Sequence, residues 1–233
     1  MKTRVVPLAL VIVLLLSMVW AVAAQGTRSP LFAPSGPGEM AAATGAHTMA
    51  PGQGLEFIGQ AGGYVKAVAS DGNLAIIGVG SRLVLLNVVS PDDPQVLGTV
   101  VLPELVHDVF LSGNHAYVAA GHFYVVDVTT PANPTVDSIL ESLDDVHAVH
   151  VVGNTAYLAA GDAGLRAIDV SNSENPWERG ACVMAYPAWD VHVSGSYAYV
   201  AAAAGGLRVV NVSQALNPIE VGDCATPTWA QRI

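Results

Sequence analysis

Of 233 residues 52% are apolar and only 12% charged, with 23 Gly and 14 Pro; a disordered chain would be more polar, and a helical bundle would carry fewer breakers. Setting Lys2 and Arg4 aside leaves 7 basic residues against 19 acidic ones, a net charge of −12. Such a surface lacks the Lys/Arg footprint that nucleic acid and anionic lipid require, so neither is expected as a partner.

The chain opens with the basic residues Lys2 and Arg4, an apolar core over residues 8–20, and the small residues Ala21-Val22-Ala23. That order predicts a secretory signal peptide over residues 1–24. An uncleaved membrane anchor over residues 5–24 is the alternative, but the core is short for a span and is followed by a cleavage-like site. No Cys stands just after the core, which argues against a lipid anchor there. The expectation is a secreted or extracytoplasmic protein (cell surface or periplasm), with no membrane insertion after cleavage. Residues 25–54 are rich in Pro, Gly and Ala, as in Ala33-Pro34-Ser35-Gly36-Pro37-Gly38, and read as a flexible linker that includes His47.

From residue 55 the chain repeats itself, with units at about 64–101, 106–142, 146–183 and 188–224. Each opens with a short alternating strand and a Gly turn, for example Asp108-Val109-Phe110-Leu111-Ser112-Gly113, where the Gly reads as a positive-φ position. A second strand follows, such as Ala116-Tyr117-Val118-Ala119-Ala120, and then a third ending in Asn87, Asp127, Asp169 or Asn211. A turn closes on Pro94, Pro134, Pro176 or Pro218, ahead of a fourth strand such as Gln95-Val96-Leu97-Gly98. Both the prolines and the Asn/Asp markers are spaced 40, 42 and 42 residues. Connections this short join antiparallel neighbours. A lone four-stranded sheet with two apolar faces cannot stand in water, so the units must stack. The fold predicted is all-β: a β-propeller of four-stranded antiparallel blades, about four blades present and the ring incomplete. The terminal Asn/Asp of each third strand is expected to accept backbone N–H bonds and fix the turn. Tyr117, Tyr157 and Tyr199 are read as packing between blades, and His115 and His122 as solvated turn residues.

Units such as Ala198-Tyr199-Val200-Ala201 … Leu207-Arg208-Val209-Val210-Asn211-Val212-Ser213 … Asn217-Pro218 resemble the LVIVD-repeat family of exported β-propeller proteins. The resemblance runs from Leu55 to the C-terminus, with the first unit departing most, at Ala75-Ile76-Ile77. It implies a propeller at the cell surface or secreted. It implies no agreed activity and carries no catalytic residue over.

Leu55-Glu56-Phe57-Ile58-Gly59 resembles a fourth strand, and Pro227-Thr228-Trp229 repeats Pro187-Ala188-Trp189 at a spacing of 40, so a fifth unit is expected to start at residues 227–233. On that pattern the chain reads as the N-terminal part of a longer protein. Cys182 and Cys224 lie 42 residues apart at equivalent points of adjacent units, too distant for the Cα separation a disulfide needs. Unpaired thiols are expected. Asn211-Val212-Ser213 fits a glycosylation sequon but sits at a strand end.

No nucleophile motif, phosphate loop or metal-protease helix occurs. The best constellation is positional. His107 and His147 occupy one place, shared with Lys66 and Trp189, at the start of each first strand; Asp108 and Asp190 follow, then His150 and His192. First strands line a propeller channel, so His107, Asp108, His147, Asp190 and His192 are candidate ligand-binding residues, with no catalytic residue, metal ligand or cofactor assigned. The leading function is a non-enzymatic binding module for a protein or a glycan. The alternatives are a metal-assisted hydrolase using His107, His147, Asp108 and Asp190 at the channel mouth, or a scaffold for a further domain.

Overall fold

The computed structural model describes residues 65–233 apart from positions 142 and 144. The expected signal peptide and linker, and the strand-like segment at residues 55–59, lie outside the described residues. Contacts divide the chain into residues 1–48 and 49–233, and the description below belongs to the second unit.

Sixteen strands form four antiparallel sheets of four strands each, in chain order within every sheet. The first sheet comprises β1 (Val65–Asp71), β2 (Leu74–Val79), β3 (Arg82–Asn87) and β4 (Gln95–Val101). The second comprises β5 (Asp108–Ser112), β6 (His115–Ala120), β7 (His122–Asp127) and β8 (Thr135–Leu140). The third comprises β9 (Ala148–Val152), β10 (Thr155–Ala159), β11 (Leu165–Asp169) and β12 (Trp177–Cys182). The fourth comprises β13 (Asp190–Ser194), β14 (Tyr197–Ala201), β15 (Leu207–Asn211) and β16 (Ile219–Cys224). Among the described residues there is no helix, and the sheets do not close into a barrel.

Local chemistry explains each sheet. Gly72, Gly113, Gly153 and Gly195 close the first hairpins with φ of 56°, 58°, 57° and 59°, a left-handed conformation that costs glycine nothing. The markers ending the third strands act as read from sequence. Asn87, Asp127, Asp169 and Asn211 each accept, through Oδ1, the N–H two residues on, at 2.9, 2.7, 2.9 and 2.9 Å. Those bonds hold the Asp127 and Asp169 carboxyls below the ordinary carboxylate range. A bulge recurs between third and fourth strands at Leu85/Leu86, Val125/Val126, Ala167/Ile168 and Val209/Val210, twisting every outer strand alike.

The sheets stack face to face, with β1 beside β5, β5 beside β9 and β9 beside β13. Three apolar seams result. Leu83, Leu85 and Ile76 meet Val109, Val118 and Val126; Tyr117, Phe123 and Val125 meet Val149, Leu158 and Ile168; Tyr157, Leu165 and Ala167 meet Val191, Val193 and Val210. Tyr117 and Tyr157 therefore pack between sheets, while Tyr199, on the far face of the fourth sheet, stays half-exposed. Cys182 and Cys224 are both free thiols.

A main-chain latch joins each unit to the next. The turn after each second strand offers a carbonyl to the residue just ahead of the following first strand. The pairs are Val106 N to Gly80 O at 2.8 Å, Val146 N to Gly121 O at 2.6 Å, Ala188 N to Gly161 O at 2.9 Å, and Ala230 N to Ala203 O at 2.9 Å. The fourth latch corrects the register read from sequence. Ala230, not Thr228, takes the place of Ala188, so Gln231 rather than Trp229 corresponds to Trp189, at the 42-residue spacing of the later units. Trp229 itself is 63% exposed.

Candidate functional site

The latches bring five chain segments to one place: the starts of β1, β5, β9 and β13, and the segment at residues 231–232. Together they line a cavity of about 380 Å3. Its lining includes Lys66, His107, His147, Trp189 and Gln231, with Asp108, Asp190 and Arg232 one residue further along their segments. The side chains are set by backbone bonds just inside the latches, where His107, His147 and Trp189 donate their N–H to Ala119, Ala159 and Ala201 at 2.8, 2.9 and 2.8 Å. Arg232 closes the circuit, one guanidinium nitrogen lying 3.5 Å from the Lys66 carbonyl oxygen.

Four of the five candidate residues, His107, Asp108, His147 and Asp190, line this cavity. His192 does not. It lies two residues further along β13, its ring meeting that of His150 edge-on at 4.6 Å, and His150 in turn leans on Phe110 at 4.9 Å. Sequence reasoning missed Gln231 and Arg232 as lining residues. The signal was present in the match of Ala188-Trp189-Asp190-Val191 to Ala230-Gln231-Arg232-Ile233 at 42 residues, which the tryptophan match at 40 obscured.

The aromatic rings form a run. His107 meets His147 edge-on at 5.7 Å, and His147 stacks on Trp189 at 4.2 Å with 14° between the planes. His147 Nε2 lies 3.1 Å from Asp145 Oδ1 without an aligned hydrogen bond, and both that nitrogen and Trp189 Nε1 are buried with no partner. Burial pushes the His107 imidazole below its ordinary value, helped by the charges of Lys66 and His147.

The acids serve the backbone. Asp108 Oδ2 accepts from Val149 N, on the next sheet, at 2.9 Å. Asp190 Oδ2 accepts from Ile233 N at 2.8 Å, the same relation one step round, while its Oδ1 accepts from Val191 N at 2.8 Å. Burial raises the Asp108 carboxyl; the N–H groups of Val149 and Val109 hold it back, and the nearby Asp190 charge pushes it further up. Among the described residues no three His, Cys, Asp or Glu side chains converge in a way that could hold a metal ion.

The two histidines read as solvated turn residues belong to strands instead. His115 opens β6 with Nε2 3.3 Å from Asp137 Oδ2. His122 opens β7 and meets Glu104, its N–H donating to Oε2 at 3.0 Å and its Nδ1 lying 2.8 Å from Oε1. Burial tends to raise the Glu104 carboxyl, but the bonds and charge of His122 hold it below the ordinary value.

By sequence, the LVIVD repeat matches residues 105–141, 145–183 and 187–226. No curated protein matches the chain. Among solved structures, the computationally designed Ika8 protein is similar with a TM-score of 0.61 and 15% identity, over 72% of this chain and 51% of that one. The computationally designed Ika4 protein gives 0.56 and 16%, over 68% of this chain and 99% of that one. A functionally unknown protein from Desulfotomaculum acetoxidans gives 0.61 and 12%, over 72% of this chain and 58% of that one. The chain thus spans about half the length of the first of these structures. At such identities the likeness is one of fold.

Proposed function

The chain belongs to the LVIVD-repeat family, and from that premise we propose that it is an exported, non-enzymatic module that binds a protein segment or a glycan at the cavity formed by its first strands. The observation carrying this reading is the convergence of equivalent positions from successive units, Lys66, His107, His147, Trp189 and Gln231, on one opening of mixed polar and aromatic character. Ligand sites are concave, with a few polar groups placed to fix orientation. The acids at the mouth are tied to backbone N–H groups, which suits a fixed surface better than a shuttling acid or base. Export rests on the Lys2/Arg4 and residues 8–20 pattern.

The test is a panel of immobilised glycans and peptides probed with the secreted chain and its His107→Ala variant. A selective ligand retained by the native chain and lost in the variant, with the melting curve unchanged, is the expected result. Ligand turnover abolished by a chelator would overturn the non-enzymatic reading, and binding indifferent to His107 would move the site elsewhere. N-terminal sequencing of the secreted chain should begin near Gln25; a mature chain retaining residues 8–20 would refute cleavage.

A further inference from the structure

Which class of ligand suits the mouth follows from which of its charges are already committed. Asp108 and Asp190 accept backbone N–H bonds from Val149, Val191 and Ile233, so neither carboxylate is idle. The cations are in the opposite condition. Arg166, Arg179 and Arg208 each lie against a carboxylate, at 3.1, 3.6 and 3.0 Å. Lys66 and Arg232 form no ion pair among the described residues, and Arg232 reaches only the Lys66 carbonyl oxygen. Both charges are felt inside the cavity, that of Lys66 at His107 and that of Arg232 at Asp108. Lys66 and Arg232 share the cavity with Asp108 and Asp190, but because neither cation is tied in an ion pair, both can turn to the anionic group of a ligand.

The other wall is aromatic. His147 and Trp189 stack at 4.2 Å with 14° between their planes, and both line the cavity, so a ring-shaped ligand would meet a flat aromatic surface there. The two acids set a limit on charge. A dianionic phosphate would face Asp108 and Asp190 at close quarters, whereas a single carboxylate balances the cations with less repulsion.

Resting on the reading of the mouth as a binding site, we propose that it takes a singly charged acidic sugar, a uronate, whose carboxylate is held by Lys66 and Arg232 and whose ring lies against Trp189. A cavity of about 380 Å3 is near the small end of ligand sites and suits a ring-sized group.

Calorimetric titration of the full secreted chain with galacturonate, galactose, inorganic phosphate and a glutamate-rich peptide tests this. Galacturonate should bind best, with galactose weaker by about tenfold, and Lys66→Gln and Arg232→Gln should each weaken galacturonate by about tenfold. Both positions are exposed, so folding should survive, and unchanged melting curves check it. His192→Gln, outside the mouth, should bind as the native chain does. Equal binding of galactose and galacturonate, indifferent to Lys66, would overturn the acidic-sugar assignment while leaving a binding module. Preference for phosphate or for the peptide through Lys66 and Arg232 would overturn the sugar and keep the anionic mouth. If none of the four binds, the assignment falls, and the glycan and peptide panel alone then decides the broader reading.

Discussion

The seam between the third and fourth sheets and the outward flank of the fourth sheet are built from the same repeated residues, and they end in different surroundings. Tyr157 is 5% exposed in the seam, while its counterpart Tyr199 faces outward, half-exposed. The first sheet shows the mirror case. Val109, Val149 and Val191 are 4%, 3% and 5% exposed, yet their counterpart Val68 is 68% exposed on a strand that no sheet precedes among the described residues. Identity of residue and strand does not fix burial here; the presence of a neighbouring sheet does. Stability should therefore be concentrated in the seams, as in other stacked repeats.

Truncating the paired tyrosines tests that contrast most strongly. Tyr157→Ala should cost about 3 kcal/mol through lost burial and a cavity, and Tyr199→Ala less than about 1 kcal/mol, read from denaturant unfolding. Equal losses would mean that the outward flank is covered in solution.

The outer strands offer a subtler pair. A Cβ on Gly180 would strike the backbone oxygens of Ala215 and Leu216 in the next unit's turn, whereas one on Gly222 would meet nothing within 4 Å. Gly180→Ala should destabilise by about 1–3 kcal/mol and Gly222→Ala by no more than about 0.5 kcal/mol. A neutral Gly180→Ala would show that the outer edges of the sheets can part without cost.

The smallest effect concerns pH. Burial holds the His150 imidazole below its ordinary 6.5, helped by His192 and opposed by Asp190. The unfolded chain then takes up its proton first, so stability falls as pH drops through 6.5 and stops falling once the folded value is passed. His150→Gln should flatten that acid-side slope in thermal melts. An unchanged slope in His150→Gln would assign the sensitivity to another group, with His107 the first to examine.

Legibility followed the range of the interactions. Asn87, Asp127, Asp169 and Asn211 act on a backbone group two residues away, so their role could be read from the residues alone. The shared placement of His107 and His147 could be read because repetition transmits position. His122 could not, since its partner Glu104 stands 18 residues back, on the connection between units. Nor could the tie of Asp108 to Val149, 41 residues on, because Ala148 breaks the repetition that would have announced it. The place of Gln231 and Arg232 was obscured by a tryptophan whose side chain turned out to be incidental to the register.

The latches between units are made of main chain alone: an amide on one side, a carbonyl on the other. The hydrogen bond of such a joint draws on no side chain, and its one demand on sequence is a carbonyl residue that tolerates positive φ: Gly80, Gly121, Gly161 or Ala203. The first unit, whose Ala75-Ile76-Ile77 departs from the others, is still joined to its successor through Gly80 and Val106. Duplication or loss of a whole unit between two latches would preserve the chemistry of every junction. The number of units is thus free to vary in evolution, and the sites they display are free to change, without the joints having to be reinvented.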